Sequence, residues 1–155
     1  MASEGAIKQA ATRRRDYTVA NEAGTVALAE RLGREFGPGA VFALYGEMGL
    51  GKTRFAQGLA LALGVNEPVS SPTFTLINEY ATRDGGRFVH MDLYRLSDED
   101  AVVELGFEEY LETAAVLAIE WPERAARLLP PTTIHVQLLP GQDEESRHVQ
   151  ITWQP

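Results

Sequence analysis

The chain has 155 residues, of which 45% are hydrophobic and 23% are charged. This size and composition are typical of one folded domain with one core, and they argue against a largely disordered or fibrous chain. The formal net charge of −8 argues against strong direct binding to nucleic acid, because such binding relies on clustered Lys and Arg side chains.

The first 16 residues are basic and show no hydrophobic periodicity. Their positive charge comes from Lys8 and from the arginines at positions 13–15. We interpret residues 1–16 as a flexible N-terminal tail, since chain ends are commonly disordered, and residues 17–155 as the folded domain. The alternative for the tail is a basic arm that contacts RNA or a partner.

The first part of the domain predicts a helix, a strand and a second helix. Apolar residues recur at helical spacing from position 21 to 36, and a Gly-Pro-Gly turn then ends that pattern. Residues 40–45 form an unbroken apolar run whose length is typical of a fully buried strand. A glycine-rich loop follows, and residues 52–63 are predicted as the second helix.

The rest of the chain continues this alternation. We predict strands at 74–80, 87–92 and 115–120, with one or two short helices over 98–112. Alternating patterns at 133–139 and 147–153, separated by an acidic loop that contains glycine, predict a hairpin. The sequence therefore predicts an α/β fold with a mostly parallel central sheet, flanked by helices, and with the C-terminal hairpin at the sheet edge.

The glycine-rich loop carries the most informative motif of the chain. Residues 46–53 match G-x-x-x-x-G-K-[ST] between a predicted strand and a predicted helix, which is the context that this motif requires. Glycines let successive backbone amides face one anion, and the helix start adds the positive end of its dipole. The motif predicts a single P-loop NTPase-type domain. Its predicted nucleotide-binding residues are Glu47, Met48, Gly49, Leu50, Gly51, Lys52 and Thr53.

Two side chains of this loop have specific predicted roles. Lys52 can reach the β- and γ-phosphates of a nucleotide, and the hydroxyl of Thr53 can bind Mg²⁺. The tetrapeptide Asn-Lys-x-Asp, which normally accompanies guanine specificity, does not occur in the sequence. We therefore expect ATP rather than GTP as the nucleotide, with Mg²⁺ as its metal ion.

Two carboxylates are candidates for metal binding and catalysis. Asp92 follows the strand segment 88–91, and Glu120 follows the apolar segment 116–119. Ligands of α/β sheets bind at the carboxyl ends of strands, and phosphoryl transfer needs one carboxylate near Mg²⁺ and often another to orient the nucleophile. We predict both as catalytic residues. The alternative for each is an ordinary polar residue that ends a strand.

The tripeptide Ser71-Pro72-Thr73 follows the predicted loop helix. Switch segments of related nucleotide-binding folds occur at this distance, so Thr73 could sense the γ-phosphate from a switch-like loop that includes Ser71. Ser-Pro-Thr is also a common turn, and the spacing does not decide between these two interpretations.

Three lesser features also have two interpretations each. His90, on an alternating strand, is more typical of a packing residue than of a ligand. Trp121 could stack on a base or a partner, or it could cap the core. Residues 98–123 contain nine acids and no Lys or Arg, which is typical of a solvated face but also suits docking of a basic partner.

Cysteine content and hydropathy bear on the cellular location. The sequence has no cysteine and no apolar run that approaches the roughly 18 residues of a membrane span. Its first residues lack the apolar segment of a secretory signal. We therefore expect a soluble, cytoplasmic protein that does not associate with membranes.

Taken together, these motifs resemble the TsaE (YjeE) family, the small P-loop ATPases of bacterial tRNA threonylcarbamoyladenosine synthesis. The similarity runs from about Tyr17 to the C-terminus. Met48 and Leu50 differ from the residues common in the family, but both occupy variable positions of the motif. Besides the phosphate loop, the matching blocks are Ser-Pro-Thr-Phe-Thr-Leu (71–76), Asn-Glu-Tyr (78–80), His-Met-Asp-Leu-Tyr-Arg-Leu (90–96), Glu-Leu-Gly (104–106) and Ile-Glu-Trp-Pro-Glu-Arg (119–124).

The resemblance implies roles for residues and partners. Lys52 and the loop amides would hold the phosphates of ATP, Thr53 and Glu120 would hold Mg²⁺, and Asp92 would support the metal or hydrolysis. Thr73 would lie in a switch-like loop. The implied partners are a TsaD-like threonylcarbamoyl transferase subunit and its inactive TsaB-like relative. ATP hydrolysis would reset this hetero-complex between cycles of modification at adenosine 37 of tRNAs, rather than transfer the threonylcarbamoyl group.

Two other functions compete with this one. A small-molecule kinase would use the same loop and pass the γ-phosphate to an acceptor, but it should carry an arginine-bearing lid. The short stretch between Arg83 and Arg87 is instead predicted as a hairpin turn. A nucleotide-regulated adaptor without turnover would be expected to lack Asp92 or Glu120, and both are present.

Overall fold

The computed structural model describes residues 11–155, which alternate between strands and helices. One 3₁₀ helix, Pro122–Leu128, with a kink at Ala125, follows the fifth strand. The strands and α-helices are, in chain order, β1 (Arg13–Val19), α1 (Glu22–Phe36), β2 (Ala40–Tyr45), α2 (Lys52–Ala62), β3 (Ile77–Ala81), β4 (Arg87–Asp92), α3 (Glu99–Glu104), α4 (Phe107–Thr113), β5 (Val116–Glu120), β6 (Ile134–Pro140) and β7 (Arg147–Trp153).

All seven strands belong to one sheet with the order β1-β7-β6-β2-β5-β4-β3. The four central strands, β6, β2, β5 and β4, are parallel to one another. The outer pairs β1–β7, β6–β7 and β3–β4 are antiparallel. The predicted α/β domain with a mostly parallel centre is confirmed, and the carboxyl ends of β2, β4 and β5 meet at one edge of the sheet.

Local sequence explains the two elements that lead to the glycine-rich loop. The side chain of Asn21 caps α1 by accepting a hydrogen bond of 3.0 Å from the amide of Gly24. Gly37 ends the helix with a φ of 72°, a left-handed value that glycine adopts without strain. The β2 sequence Ala-Val-Phe-Ala-Leu-Tyr is buried at its four central positions, as expected for a strand covered on both faces.

The sheet separates two apolar clusters. Helices α1 and α2 cover one face, where their side chains meet alternate residues of β2 such as Phe42 and Leu44. Helices α3 and α4 and the 3₁₀ helix cover part of the other face and pack against Val41, Val89 and Met91. The core therefore consists of two apolar layers, one on each face of the sheet. Burial on both faces holds the ends of the central strands in place.

The predicted N-terminal boundary is wrong by a few residues. We expected a flexible tail over residues 1–16, but β1 begins at Arg13 and pairs with β7 from Arg13 to Val19. Residues 1–10 lie outside the described part of the chain. Because β1 pairs outside β7, the C-terminal hairpin is not the sheet edge that we predicted, and β1 occupies that edge instead.

The third strand starts later than the predicted range of 74–80. Residues 73–75 form a turn, and Leu76 adopts a left-handed φ of 65° before β3 begins at Ile77. Phe74 is consequently 83% exposed instead of contributing to the core. The predicted hairpin turn after β3 is confirmed, since the amide of Thr82 donates to the carbonyl of Gly86. Among residues 11–155, no helix has the length and apolarity required to cross a membrane.

Candidate functional site

The glycine-rich loop joins the carboxyl end of β2 to the first residue of α2. Gly51, the N-cap of α2, has a φ of 107°, which side chains with a Cβ rarely adopt. Gly46 is packed so closely that a Cβ there would lie 2.9 Å from the carbonyl oxygen of Leu138. The backbone geometry therefore requires glycine at the first position of the motif and at the N-cap of α2. The first amides of α2 have no partner inside their own helix, so this terminus is suited to an anion.

A cavity of about 490 Å³ lies in front of this loop. It contains the predicted residues Lys52, Thr53, Asp92 and Glu120 and both predicted switch residues. The complete lining is Glu22, Met48, Gly49, Gly51, Lys52, Thr53, Arg54, Ser71, Thr73, Asp92, Tyr94, Arg95, Glu120 and Trp121. The structure thus brings the chemistry-bearing residues of four separate chain segments together.

Two residues of the motif do not line the cavity with their side chains. Leu50 packs against the cluster under α1 and α2, and Glu47 is exposed. These two positions can therefore contribute backbone amides to an anion site, but their side chains are directed to other surroundings. Contact of all residues 47–53 with a nucleotide stays a prediction.

The two carboxylates lie side by side on neighbouring parallel strands. Asp92 and Glu120 are register partners at the carboxyl ends of β4 and β5, and both are buried. The hydroxyl of Thr53 donates to Glu120 Oε2 over 3.5 Å. Asp92 Oδ1 accepts a 3.0 Å hydrogen bond from the amide of Tyr94. Hydroxyl and carboxylate oxygens from α2, β4 and β5 thus converge on one end of the cavity.

Burial shapes the electrostatics of this carboxylate pair. Burial raises the pKa of Asp92 above its ordinary value, and the nearby carboxylate of Glu120 raises it further. The amide of Tyr94 and the ammonium of Lys52 act in the opposite direction. A cation placed between the two acids would relieve their repulsion, so this end of the cavity is suited to a hard metal ion.

The donor set fits a magnesium ion that also uses oxygens of a ligand. Within residues 11–155 there is no group of three or more His, Cys, Asp or Glu side chains arranged to hold a metal ion. Mg²⁺ is usually bound through one or two carboxylates together with phosphate oxygens and waters, so a complete protein cage is not required. Thr53, Glu120 and Asp92 provide the oxygen donors that such a site needs.

Lys52 is a buried cation that contacts an aromatic ring. Its side chain is only 6% exposed, and Nζ lies 4.2 Å from the centre of the Trp121 ring. Trp121 has a left-handed φ of 57°, and its ring lies 4.9 Å from that of Tyr94. Trp121 lines the cavity and also packs against the apolar cluster under α3 and α4, so the structure is compatible with both of its interpretations.

The loop that carries Ser71 and Thr73 is anchored to its surroundings by hydrogen bonds. The Gln57 side chain of α2 donates to the carbonyl of Val69 over 2.8 Å, and the Tyr80 hydroxyl accepts from the amide of Ser70 over 3.3 Å. The hydroxyls of Ser71 and Thr73 are 2.9 Å apart. These bonds tie the loop to α2 and β3, and they are compatible with both a switch and a simple turn.

His90 was not predicted as a site residue, although it contacts one. It is completely buried, and its Nε2 lies 2.6 Å from Glu120 Oε2. We interpreted it as a packing residue. The available signal was its position two residues before Asp92, because residues two apart on a strand point to the same face.

Tyr94 and Arg95 also line the cavity and were not predicted as site residues. Both residues follow Asp92 closely, just after the end of β4. This closeness to a predicted site residue was the sequence signal for them. The guanidinium of Arg95 lies 4.7 Å from the ring centre of Phe74 and so contacts the switch-like loop. Arg54, another lining cation, is paired with Glu22 at 3.4 Å.

Comparisons with known proteins show which family this chain resembles. The family model described as threonylcarbamoyl adenosine biosynthesis protein TsaE matches residues 19–149. A Nostoc protein named tRNA threonylcarbamoyladenosine biosynthesis protein TsaE is 43% identical over 138 residues, covering 86% of this chain and 83% of the relative. The Aquifex aeolicus protein of the same name is 37% identical and covers 88% of this chain and 95% of its own length.

A solved structure shares the fold. The crystal structure of YdiB from Bacillus subtilis superimposes with a TM-score of 0.77 and 29% sequence identity, covering 94% of this chain and 88% of that one. The family match and the structural superposition each cover most of the described chain.

Proposed function

The chain belongs to the TsaE family of threonylcarbamoyl adenosine biosynthesis proteins, and from this premise we propose that it is a Mg²⁺-dependent ATPase of tRNA threonylcarbamoyladenosine synthesis. One observation carries the proposal. Lys52 and Thr53 at the start of α2 face Asp92 and Glu120, at the ends of β4 and β5, across one cavity. This is the set of groups that phosphoryl transfer requires.

Nucleotide binding follows from the loop and its lysine. The phosphates would lie against the amides of the loop and the first turn of α2, where the helix dipole favours negative charge. Lys52 would leave the ring of Trp121 to meet the β- and γ-phosphates, since an ion pair with hydrogen bonds is stronger than a cation–π contact. The absence of an Asn-Lys-x-Asp tetrapeptide supports ATP over GTP.

Hydrolysis would depend on the carboxylates. When bound, Mg²⁺ neutralises charge that develops on the phosphate oxygens in the transition state. Thr53 and Glu120 are the residues proposed to hold the ion, and their 3.5 Å contact already brings both oxygens to one place. Asp92 would then support the ion from the neighbouring strand or orient the attacking water. The side chain of Thr73, on the cavity wall, would respond to the γ-phosphate.

The open side of the cavity supports action within a complex. Two large apolar residues close to it, Met48 and Phe74, are 82% and 83% exposed, the highest values among the large apolar side chains of residues 11–155. A TsaD-like transferase subunit with its TsaB-like relative would cover this side, exclude water and speed turnover. Hydrolysis would then reset that complex between modification cycles, and transfer of the threonylcarbamoyl group would remain with the partner.

Release of inorganic phosphate from ATP tests this function. We expect slow release by the protein with Mg²⁺ alone, faster release once the partner pair is added, and almost none when Mg²⁺ is chelated. A small-molecule kinase would instead need an acceptor before the γ-phosphate left ATP. Phosphate release that stays at background in the presence of Mg²⁺ and both partners would contradict the proposal.

A further inference from the structure

His90 is completely buried and contacts an acidic residue of the candidate site. The ring lies on β4 with its Nε2 2.6 Å from Glu120 Oε2, on the neighbouring strand β5. We propose that His90 is a positioning residue that holds the Glu120 carboxylate in the orientation required for Mg²⁺. This inference rests on the proposed function and adds a residue to its machinery.

The partners of the ring indicate which nitrogen carries the proton. An ionised carboxylate only accepts hydrogen bonds, so Nε2 must be the donor in this contact. The other nitrogen, Nδ1, is buried and has no hydrogen-bond partner within residues 11–155. A proton on Nδ1 would be a buried N–H without an acceptor, which is costly. The geometry therefore assigns the donated proton of this contact to Nε2.

The hydrogen bond restrains a side chain that otherwise has several rotamers. Glu120 Oε2 accepts from His90 on one side and from Thr53, at 3.5 Å, on the other. Both contacts use the same oxygen, which leaves Oε1 for another ligand. Outer partners of this kind typically contribute about 10–100-fold to metal affinity, because they orient the ligand before the ion arrives.

A purely structural role makes a different prediction. His90 also stacks near Phe88, with ring centres 6.4 Å apart, so its removal would lower stability in either case. A packing role would be served by any apolar side chain of similar size, and Mg²⁺ affinity would then be unchanged in a folded variant. A positioning role needs a donor that reaches Glu120, so it should be rescued by an amide but not by an apolar side chain.

Two variants separate these roles. His90→Gln keeps an N–H donor at the end of the side chain, and His90→Leu removes it. For each variant, binding of a non-hydrolysable ATP analogue would be measured by calorimetry in EDTA and at increasing Mg²⁺, with the melting temperature recorded in parallel. His135→Gln is the matched control, because His135 is hydrogen-bonded to Tyr45 at 2.8 Å and does not line the cavity.

We expect His90→Leu to raise the Mg²⁺ concentration for half-maximal effect about 10–100-fold, with binding in EDTA unchanged. His90→Gln should recover most of this loss, and His135→Gln should match the parent. Long-range ¹H–¹⁵N NMR of the parent protein should show a proton on Nε2 of His90.

Two results would overturn the inference while the proposed function stands, and a third would refute the proposed function itself. Equal Mg²⁺ dependence in the parent and in a folded His90→Leu variant would leave His90 a packing residue while the function stands. A ring without a proton on Nε2 in the parent would have the same meaning, and this measurement does not depend on either variant folding. A parent protein that shows no Mg²⁺-dependent nucleotide binding would instead refute the proposed function itself, and the positioning role with it.

Discussion

Lys52 is held in an unusual environment for an ammonium group. It is buried, and among residues 11–155 it has no salt bridge, so its charge is stabilised by the ring of Trp121 and by electrostatic attraction to Asp92. Burial of a charge without an ion pair is costly. A phosphate would provide the missing counter-charge, which explains why this lysine is available for a ligand.

Replacing this lysine tests the phosphate site at a single residue. Lys52→Ala should weaken ATP binding by roughly 10–100-fold, because charge-assisted hydrogen bonds contribute about 1.5–3 kcal/mol. The change in Trp121 fluorescence that we expect on ATP addition should also disappear, since the ammonium that moves away from the ring is gone. Equilibrium binding and fluorescence titration check both outcomes.

Arg124→Ala is the control, because it removes the same charge outside the cavity and should bind ATP like the parent. Parent-like ATP binding by Lys52→Ala would rule out the phosphate-loop assignment.

The two carboxylates should affect hydrolysis more than binding. Glu120→Gln and Asp92→Asn keep the size of each side chain but weaken the hold on Mg²⁺, whose main contribution is made in the transition state. We expect kcat to fall by roughly 100-fold, with nucleotide affinity changed less than about tenfold. Steady-state phosphate release and calorimetry measure the two effects.

Glu123→Gln is the control for this pair, because Glu123 is an exposed carboxylate three residues after Glu120 and does not line the cavity. We rank Glu120 as the direct metal ligand on the basis of its contact with Thr53. A nucleotide-bound structure in which Asp92 alone contacts the ion would reverse this ranking.

The residues that sequence could identify are those whose signal is local. Lys52 and Thr53 belong to a motif of eight consecutive residues, and Asp92 and Glu120 each end an apolar strand. His90 depends instead on the pairing of β4 with β5, which brings together residues 30 positions apart. A single strand sequence does not reveal which strand lies beside it, so a contact of this kind could not be predicted.

At the scale of elements, the same limit explains the position of β1. Its sequence Arg-Arg-Arg-Asp-Tyr-Thr-Val resembles a polar tail, yet Arg15, Tyr17 and Val19 alternate toward the covered face. Arg15 fills an inward position because its guanidinium stacks over Trp153 at 4.9 Å and pairs with Glu35 at 2.6 Å. Both partners are distant in sequence. Strands β2 and β5 at the centre of the sheet were predictable because burial on both faces makes each one a nearly continuous apolar run.

Close packing of α1 against α2 fixes the helix that carries Lys52. Gly58 lies so near α1 that a Cβ there would be 2.3 Å from the carbonyl oxygen of Val26 and 2.6 Å from the Cβ of Ala29. Since part of this contact is backbone, it cannot be relieved by a rotamer change. The two helices would have to separate, and the start of α2 would move with them.

Gly58→Ala tests this contact. We expect the free energy of unfolding to fall by about 1–3 kcal/mol, the usual cost of overpacking, even though alanine is the better helix former. For a chain of this length that corresponds to a melting temperature lower by roughly 2–4 °C per kcal/mol, together with weaker ATP binding. Differential scanning calorimetry measures the change. Leu61→Ala, at a half-exposed position of the same helix, is the control and should change stability by less than about 0.5 kcal/mol. Equal stability of the Gly58→Ala protein and the parent would show that the two helices can adapt to the added methyl group.

At the scale of the whole molecule, charge is distributed unevenly around the candidate site. The net charge is −8, and nine acids lie within residues 98–123 without a single Lys or Arg. Helix α3, which follows β4 closely in the sequence, starts this acidic segment, and its residues Asp100 and Glu104 are exposed. Carboxylates of this kind favour association with a basic surface through long-range attraction.

If the partner pair binds the cavity side of the molecule, attraction to the acidic segment should make its binding depend on salt. Raising the ionic strength from about 0.05 to 0.5 M shortens the range of electrostatic attraction, so we expect binding to weaken several-fold. Asp100→Asn combined with Glu104→Gln should weaken binding at low salt and reduce this dependence. Glu67→Gln combined with Asp84→Asn removes the same charge from two exposed positions outside the segment and should behave like the parent. Calorimetric titration of the TsaD-like and TsaB-like pair, with and without ATP, measures all three proteins. Equal affinity at both salt concentrations would show that the acidic segment is only a solvated face. The absence of binding under every condition would remove the complex-forming role and leave the small-molecule kinase as the leading alternative.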